Sequence, residues 1–106
     1  MNYSFHEITI TPAGVDPPIV MIERDQLATI VWQGKGVNLT EVNIDKTWPF
    51  DQPAPLKGRP NSFYVTYLNN AELGKPTTYP WTYNGISIAD PPEIENSGSP
   101  FPGNKR

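Results

Sequence analysis

The segment SFYVTYL, residues 62–68, is the clearest guide to the fold, and TTYPWTY follows it at residues 77–83. In both segments large apolar side chains recur at every second position, which is typical of a β-strand with one face buried. The pair Asn84-Gly85 comes next and is the strongest short signal for a type I′ turn between two strands. The sequence therefore predicts two strands here, and a hairpin that returns through residues 86–89.

The same alternation predicts four earlier strands, over residues 3–11, 19–22, 27–33 and 37–44. In the first of them the apolar positions change parity between Phe5 and Ile8, so we expect a β-bulge near His6 that turns both residues inward. A similar change of parity predicts a bulge near Thr40. We interpret residues 34–36, Gly-Lys-Gly, as a short hairpin loop between the last two of these strands.

The composition favours strands over helices throughout the chain. Thirteen prolines are spread over 106 residues, and proline does not fit the interior of a helix. About seven short strands with frequent turn signals predict an all-β fold, a single-domain antiparallel β-sandwich of immunoglobulin-like or related Greek-key architecture. We expect the sandwich to occupy residues 1–95 and residues 96–106, rich in Ser, Gly and Pro, to form a flexible tail.

Several kinds of chemistry are excluded or disfavoured by the residues that the chain lacks. It contains no cysteine, which excludes disulfides, cysteine-ligated zinc and thiol catalysis. Its one histidine, His6, excludes a metal site made of two histidines of the same chain. A net charge of −3 disfavours a surface that binds nucleic acid, and no apolar run is long enough to span a membrane. We expect no enzymatic activity, no cofactor and no metal site. The N-terminus has no signal-peptide pattern, so a cytoplasmic location is the default expectation, and a mature secreted chain would look the same.

The segment from residue 45 to residue 60 is too apolar for a simple linker, and its prolines prevent regular strand pairing. One interpretation makes Trp48 and Phe50 exposed anchors for a ligand, with Asp51 and Tyr64 beside them. The other makes the segment a plug that folds back against one end of the sandwich. We place the ligand-binding residues on the first interpretation, because Pro49 directly after Trp48 holds the chain extended.

Two further patterns have competing interpretations. Tyr79, Trp81 and Tyr83 lie on one strand face and resemble a stacking platform, but the hairpin would set them beside isoleucines, which favours a core face. Glu93 and Glu95 would project from one face of an extended segment, which suits either a carboxylate pair or a solvated sheet edge, and we favour the edge.

From these features we expect a non-catalytic binding or protein-interaction module of unknown ligand, with the 45–60 segment as the recognition element. Its partner would be another protein, or a second copy bound through a sheet edge. The alternative is a carbohydrate-binding module that uses exposed aromatic side chains.

Overall fold

The computed structural model of the protein describes residues 2–45, 48, 55–70, 74–86 and 91–97. Within these ranges the chain forms strands and no helix, so none of the described segments is a helix that could cross a bilayer. The strands are β1 (Asn2–Thr11), β2 (Gly14–Asp16), β3 (Ile19–Ile22), β4 (Gln26–Gly34), β5 (Val42–Ile44), β6 (Leu56–Lys57), β7 (Ser62–Leu68), β8 (Thr77–Tyr83) and β9 (Glu93–Asn96).

The strands form two sheets that face each other. The first sheet has the order β2-β1-β4-β7-β6, and the second has the order β3-β9-β8-β5. One apolar core lies between them and includes Ile30 and Trp32 from β4, Val65 from β7 and Trp81 from β8. The rings of Trp32 and Trp81 meet edge to face, with their centroids 5.7 Å apart. The predicted all-β sandwich is confirmed.

The alternation of apolar residues corresponds to this inner face in β4, β7 and β8. Every second side chain of each strand is directed into the core, where removal from water provides most of the stabilisation. Tyr79 and Trp81 are buried, and Tyr83 packs against the core while half-buried. The core interpretation of this aromatic stripe is therefore confirmed.

The pairing of the strands differs from the prediction in two respects. β1 runs parallel to β4, and β3 runs parallel to β9, so the sheets are mixed and not wholly antiparallel. The predicted hairpin through residues 34–36 is wrong, because β4 pairs with β1 and β7 while β5 lies in the second sheet beside β8. The chain after β4 crosses from one sheet to the other.

Residues 37–41 do not form the predicted strand, and the strand in this region is confined to Val42–Ile44. Two asparagine side chains take the place of a neighbouring strand. The Asn61 carboxamide accepts from the Leu39 N–H at 3.2 Å and donates to the Val37 carbonyl at 3.1 Å. Asn84 Oδ1 accepts from the Thr40 N–H at 2.7 Å. These bonds satisfy the backbone without a ladder, so neither the strand nor its bulge forms.

β1 contains no bulge, and the prediction of one near His6 is wrong. Its pairing with β4 continues without interruption from Asn2 opposite Gln26 to Ile10 opposite Gly34. Ile8 and Ile10 are completely buried, so the alternation turns Tyr3 and Phe5 to the outside, where they are 65% and 62% exposed. An extra residue would have broken this long parallel ladder.

The turn at Asn84-Gly85 has the predicted type I′ geometry. Asn84 has a φ of 54° and Gly85 a φ of 68°, and the Ile86 N–H donates to the Tyr83 carbonyl at 3.0 Å. Positive φ at both central residues is what this turn type requires. Ile86 itself is not part of a strand, and the rest of the predicted return strand, residues 87–89, lies outside the described residues.

The sandwich extends slightly beyond its predicted boundary at residue 95. Asn96 ends β9 and is buried, with its Oδ1 accepting from the Tyr67 hydroxyl at 2.6 Å. Ser97 is buried too, and its N–H donates to the Ile22 carbonyl at 2.8 Å. Both residues therefore belong to the folded domain, and residues 98–106 of the predicted tail lie outside the described residues.

β9 is an interior strand and not the predicted sheet edge. It lies between β3 and β8, so Glu93 and Glu95 are half-buried on the outer face of the second sheet. No group of three or more His, Asp or Glu side chains within the described ranges is arranged to hold a metal ion.

Candidate functional site

The outer face of the first sheet, the side turned away from the core, has an unusual apolar character. Cross-strand neighbours from β1, β4 and β7 follow one another on it in register, because the strands are paired without gaps. The successive rows are Tyr3–Leu27–Leu68, Phe5–Thr29–Thr66, Glu7–Val31–Tyr64 and Thr9–Gln33–Ser62. Exposed aromatic and aliphatic side chains therefore lie side by side on a face that one expects to be polar in a sandwich.

A groove of about 620 Å³ lies on this face, and we call it the outer groove. β4 provides the floor, β1 one side, and β7 with the loop at residues 58–60 the other side. Its most prominent side chains are Phe5, Glu7, Val31, Gln33, Arg59 and Tyr64. Phe5 is 62% and Tyr64 37% exposed, so an aromatic ring is accessible on each side of the floor.

Polar groups are interleaved with the rings. Thr29 Oγ1 lies 3.1 Å from the Tyr3 hydroxyl and 3.0 Å from Thr66 Oγ1, which makes a row of linked hydroxyls across three strands. Gln33 adds a carboxamide to the floor, and Glu7 and Arg59 add opposite charges on opposite sides. The groove can therefore cover an apolar surface and also form directed hydrogen bonds with a ligand.

His6 is not part of this groove. It precedes Glu7 on β1, so its side chain lies on the opposite face, where Nε2 is 3.1 Å from Ser4 Oγ. Burial lowers the pKa of its imidazole below the ordinary value of 6.5. The described part of the groove therefore contains no histidine side chain.

Trp48 does not occupy the exposed position that the anchor interpretation requires. It is 5% exposed, and its ring packs edge-on against Tyr67, with centroids 4.8 Å apart, and against Tyr79, at 5.0 Å. Tyr67 comes from the first sheet and Tyr79 from the second, so the indole fills a slot between the sheets. The anchor interpretation is wrong for Trp48, and the plug interpretation describes its position.

The position of Tyr67 in the same slot keeps its hydroxyl group protonated. Burial raises the pKa of its hydroxyl far above the ordinary value, and the neighbouring Tyr79 hydroxyl adds to the effect. The phenol stays neutral and donates its proton to Asn96 Oδ1. Trp48, Tyr67 and Tyr79 are therefore part of the core at this end of the sandwich.

The other predicted site residues are placed as follows. Tyr64 lies in the outer groove with its ring accessible to solvent, and its role in binding stays a prediction. Phe50 and Asp51 lie outside the described residues. From the predicted recognition segment, residues 58–60 do reach the groove.

Phe5 is the most exposed of the groove residues that the sequence did not identify. Its signal was present, because the apolar parity of β1 changes between Phe5 and Ile8. A change of parity has two possible causes, a bulge that keeps all apolar residues inside or a regular strand that exposes some of them. The regular strand occurs here, and the exposed residues mark the candidate surface.

No known protein-family model matches the chain, and no curated protein matches it in sequence. The candidate site is consequently defined by its geometry.

Proposed function

We propose that the protein is a non-catalytic binding or protein-interaction module whose recognition surface is the outer groove. The observation that carries the proposal is the placement of Phe5 and Tyr64 as accessible rings on either side of a rigid strand floor. Aromatic side chains have few rotatable bonds, so they provide a large contact area at a small cost in conformational entropy. Their attachment to paired strands reduces this cost further.

The character of the surface around the groove favours a protein ligand. Tyr3 and Leu68 are 65% and 38% exposed and extend the apolar area beyond the groove on the same face. Contiguous exposed apolar area is uncommon on monomeric proteins and is typical of interaction sites. Glu7 and Arg59 then correspond to the polar rim of an interface.

A carbohydrate ligand is the second candidate, and the linked hydroxyls favour it. Sugars present apolar faces that stack on aromatic rings, together with hydroxyls that need hydrogen-bond partners. The groove offers both, through Tyr64 and through the Thr29 hydroxyl and the Gln33 carboxamide.

The immunoglobulin-like assignment is part of the same proposal and is supported by strand order. The last six strands are arranged as β4-β7-β6 in the first sheet and β9-β8-β5 in the second. This is the arrangement of strands B-E-D and G-F-C in an immunoglobulin constant-type domain. The disulfide hallmark of antibody domains is absent, since the chain has no cysteine. Such a fold supports many functions, so the groove and not the architecture carries the proposal.

The two ligand classes can be separated by presenting both to the same protein variants. We would select binders from a random-peptide display library, and titrate a panel of soluble plant and bacterial oligosaccharides by NMR. The groove variant is Tyr64→Ser. The matched control is Met21→Ser, since Met21 is 39% exposed on β3 of the other sheet. Tryptophan fluorescence is unsuitable, because Trp32, Trp48 and Trp81 are all buried.

We expect selected peptides to bind at least tenfold more weakly to Tyr64→Ser than to the wild type, and equally well to Met21→Ser. If no peptide is selected and an oligosaccharide shifts the NMR signals of groove residues alone, the ligand is a carbohydrate and not a protein. If no peptide or oligosaccharide depends on Tyr64, the proposed function is wrong.

A further inference from the structure

The N-terminal part of β1 is a sheet edge beside which no other described strand lies. β4 pairs with residues 2–10 of β1 on one side, whereas β2 covers the other side only at residues 9–11. The Lys35 N–H donates to the Ile10 carbonyl at 2.8 Å, so the backbone groups of Ile10 are directed to the β4 side. Because this direction alternates along a strand, the N–H and C=O groups of Tyr3, Phe5 and Glu7 are directed to the open side.

This edge lacks the features that protect the other edges of the sandwich. β2 lies between Pro12 and Pro17, and β3 follows Pro18. β5 and β6 are short, with three and two residues, and Pro60 follows closely after β6. Residues 2–8 contain no proline, glycine, lysine or arginine, and they run without a bulge. Natural sheets use such residues and bulges to prevent pairing with another chain. The open part of β1 is therefore a surface on which a strand can be added.

We propose that the occupant of this edge is a second copy of the chain, which pairs antiparallel through β1 with Phe5 at the two-fold axis. The open segment runs over residues 2–8, and Phe5 is its midpoint. In this register Phe5 lies opposite the partner's Phe5, and Tyr3 lies opposite the partner's Glu7. A shift toward the C-terminus would bring the partner strand against β2, and a shift the other way would leave Glu7 without a strand residue opposite it.

The side chains of this register are compatible with one another. All three residues with open backbone groups have their side chains on the outer face, so the two Phe5 rings, each 62% exposed, would lie side by side on that face and leave their outer surfaces accessible to a ligand. Glu7 faces a tyrosine and not a second carboxylate, so no like charges lie directly opposite. The two first sheets would join into one continuous sheet, because β1 is at the open edge of each.

The absence of cysteine provides a test that reads the register directly. Opposed residues of a hydrogen-bonded antiparallel pair have Cα atoms about 5.5 Å apart, within the range for a disulfide. Phe5→Cys should therefore oxidise to a covalent dimer. In Tyr3→Cys the two sulfurs belong to residues about 14 Å apart along the strands, four residues at about 3.4 Å each. This variant is the matched control.

We expect Phe5→Cys to cross-link at least ten times faster than Tyr3→Cys, and an equal mixture of Tyr3→Cys and Glu7→Cys chains to give the mixed dimer preferentially. Cross-linking of Tyr3→Cys at the same rate as Phe5→Cys would overturn the register. Failure of Phe5→Cys to cross-link at millimolar concentration would overturn the dimer.

Analytical ultracentrifugation of chains without cysteine tests the same interface independently. Phe5→Lys sets two like charges opposite each other and should weaken dimerisation more than tenfold. Tyr64→Lys changes the same face two strands away from the edge and should leave dimerisation unchanged. Equal weakening by both variants, or a wild type that is monomeric at millimolar concentration, would refute the proposal. The result does not depend on the proposed function, whose test reads ligand binding at Tyr64.

Discussion

Both faces of the first sheet carry large apolar side chains, but the two sets differ in burial. On the inner face Ile30, Trp32 and Val65 are completely buried. On the outer face Phe5 and Tyr64 remain accessible beside a groove. Burial stabilises the inner set, whereas the outer set gains little from folding. The comparison indicates that apolar content by itself does not identify a core, and that strand register decides which set is structural.

The largest expected effect is on the inner side, at the slot that Trp48 fills. Trp48→Ala removes a ring that packs on Tyr67 and Tyr79, and should lower the free energy of unfolding by about 3–5 kcal/mol. Urea unfolding measures this change, with Tyr64→Ala on the outer face as the control. A loss below about 1 kcal/mol would mean that the indole does not occupy the core.

A smaller loss is expected from a polar residue that the core encloses. Asn69 is completely buried, and its Nδ2 donates to the carbonyls of Ile22 and Glu23, both at 2.9 Å, and of Ser97 at 3.2 Å. Asn69→Ala leaves buried carbonyls without this donor and should cost about 1–3 kcal/mol. The control is Asn70→Ala at the exposed neighbouring residue, which should leave the free energy of unfolding unchanged. Equal unfolding midpoints for the two variants would contradict the structural role of Asn69.

The parts of the fold that the sequence predicted well are those in which one strand repeats one pattern. Residues 62–68 and 77–83 alternate regularly, and β7 and β8 have those bounds. Alternation is a local property, so it identifies a strand without identifying its neighbour. This is why the pattern predicts the bounds of β4 to within one residue at each end and yet wrongly predicts a hairpin between β4 and the next strand.

The misplaced features depend on contacts between distant residues. The side chains of Asn61 and Asn84 form hydrogen bonds with the backbone of residues 37–41, and no local sequence pattern predicts those bonds. Trp48 is buried because rings from β7 and β8 meet around it. Tyr64 was predicted as a site residue for its nearness to Trp48, and it lies instead in a groove with Phe5. Long-range packing determined each of these positions.

We expect the stability of the fold to depend modestly on pH because of His6 on β1, whose side chain lies on the opposite face from that of its neighbour Glu7. Burial lowers the pKa of His6 below 6.5 in the folded chain, so the unfolded chain takes up the proton more readily. The contribution of neutral His6 to the free energy of unfolding is fully present above about pH 6.5, and it is lost as the pH falls through the lowered pKa of the folded chain. The wild-type melting temperature should therefore fall more than that of His6→Gln between about pH 7.5 and pH 5. Parallel decreases in the two proteins would contradict this assignment.

The central claim is that the outer aromatic residues Phe5 and Tyr64 are accessible and are not needed for folding. Its most direct test is denaturant unfolding of the double variant Phe5→Ser/Tyr64→Ser, at a concentration where the chain is monomeric. Because both side chains are accessible in the folded state, the free energy of unfolding should stay within about 1 kcal/mol of the wild type. A loss of about 3 kcal/mol or more, comparable to that expected for Trp48→Ala, would show that these rings are part of the core and would contradict the claim.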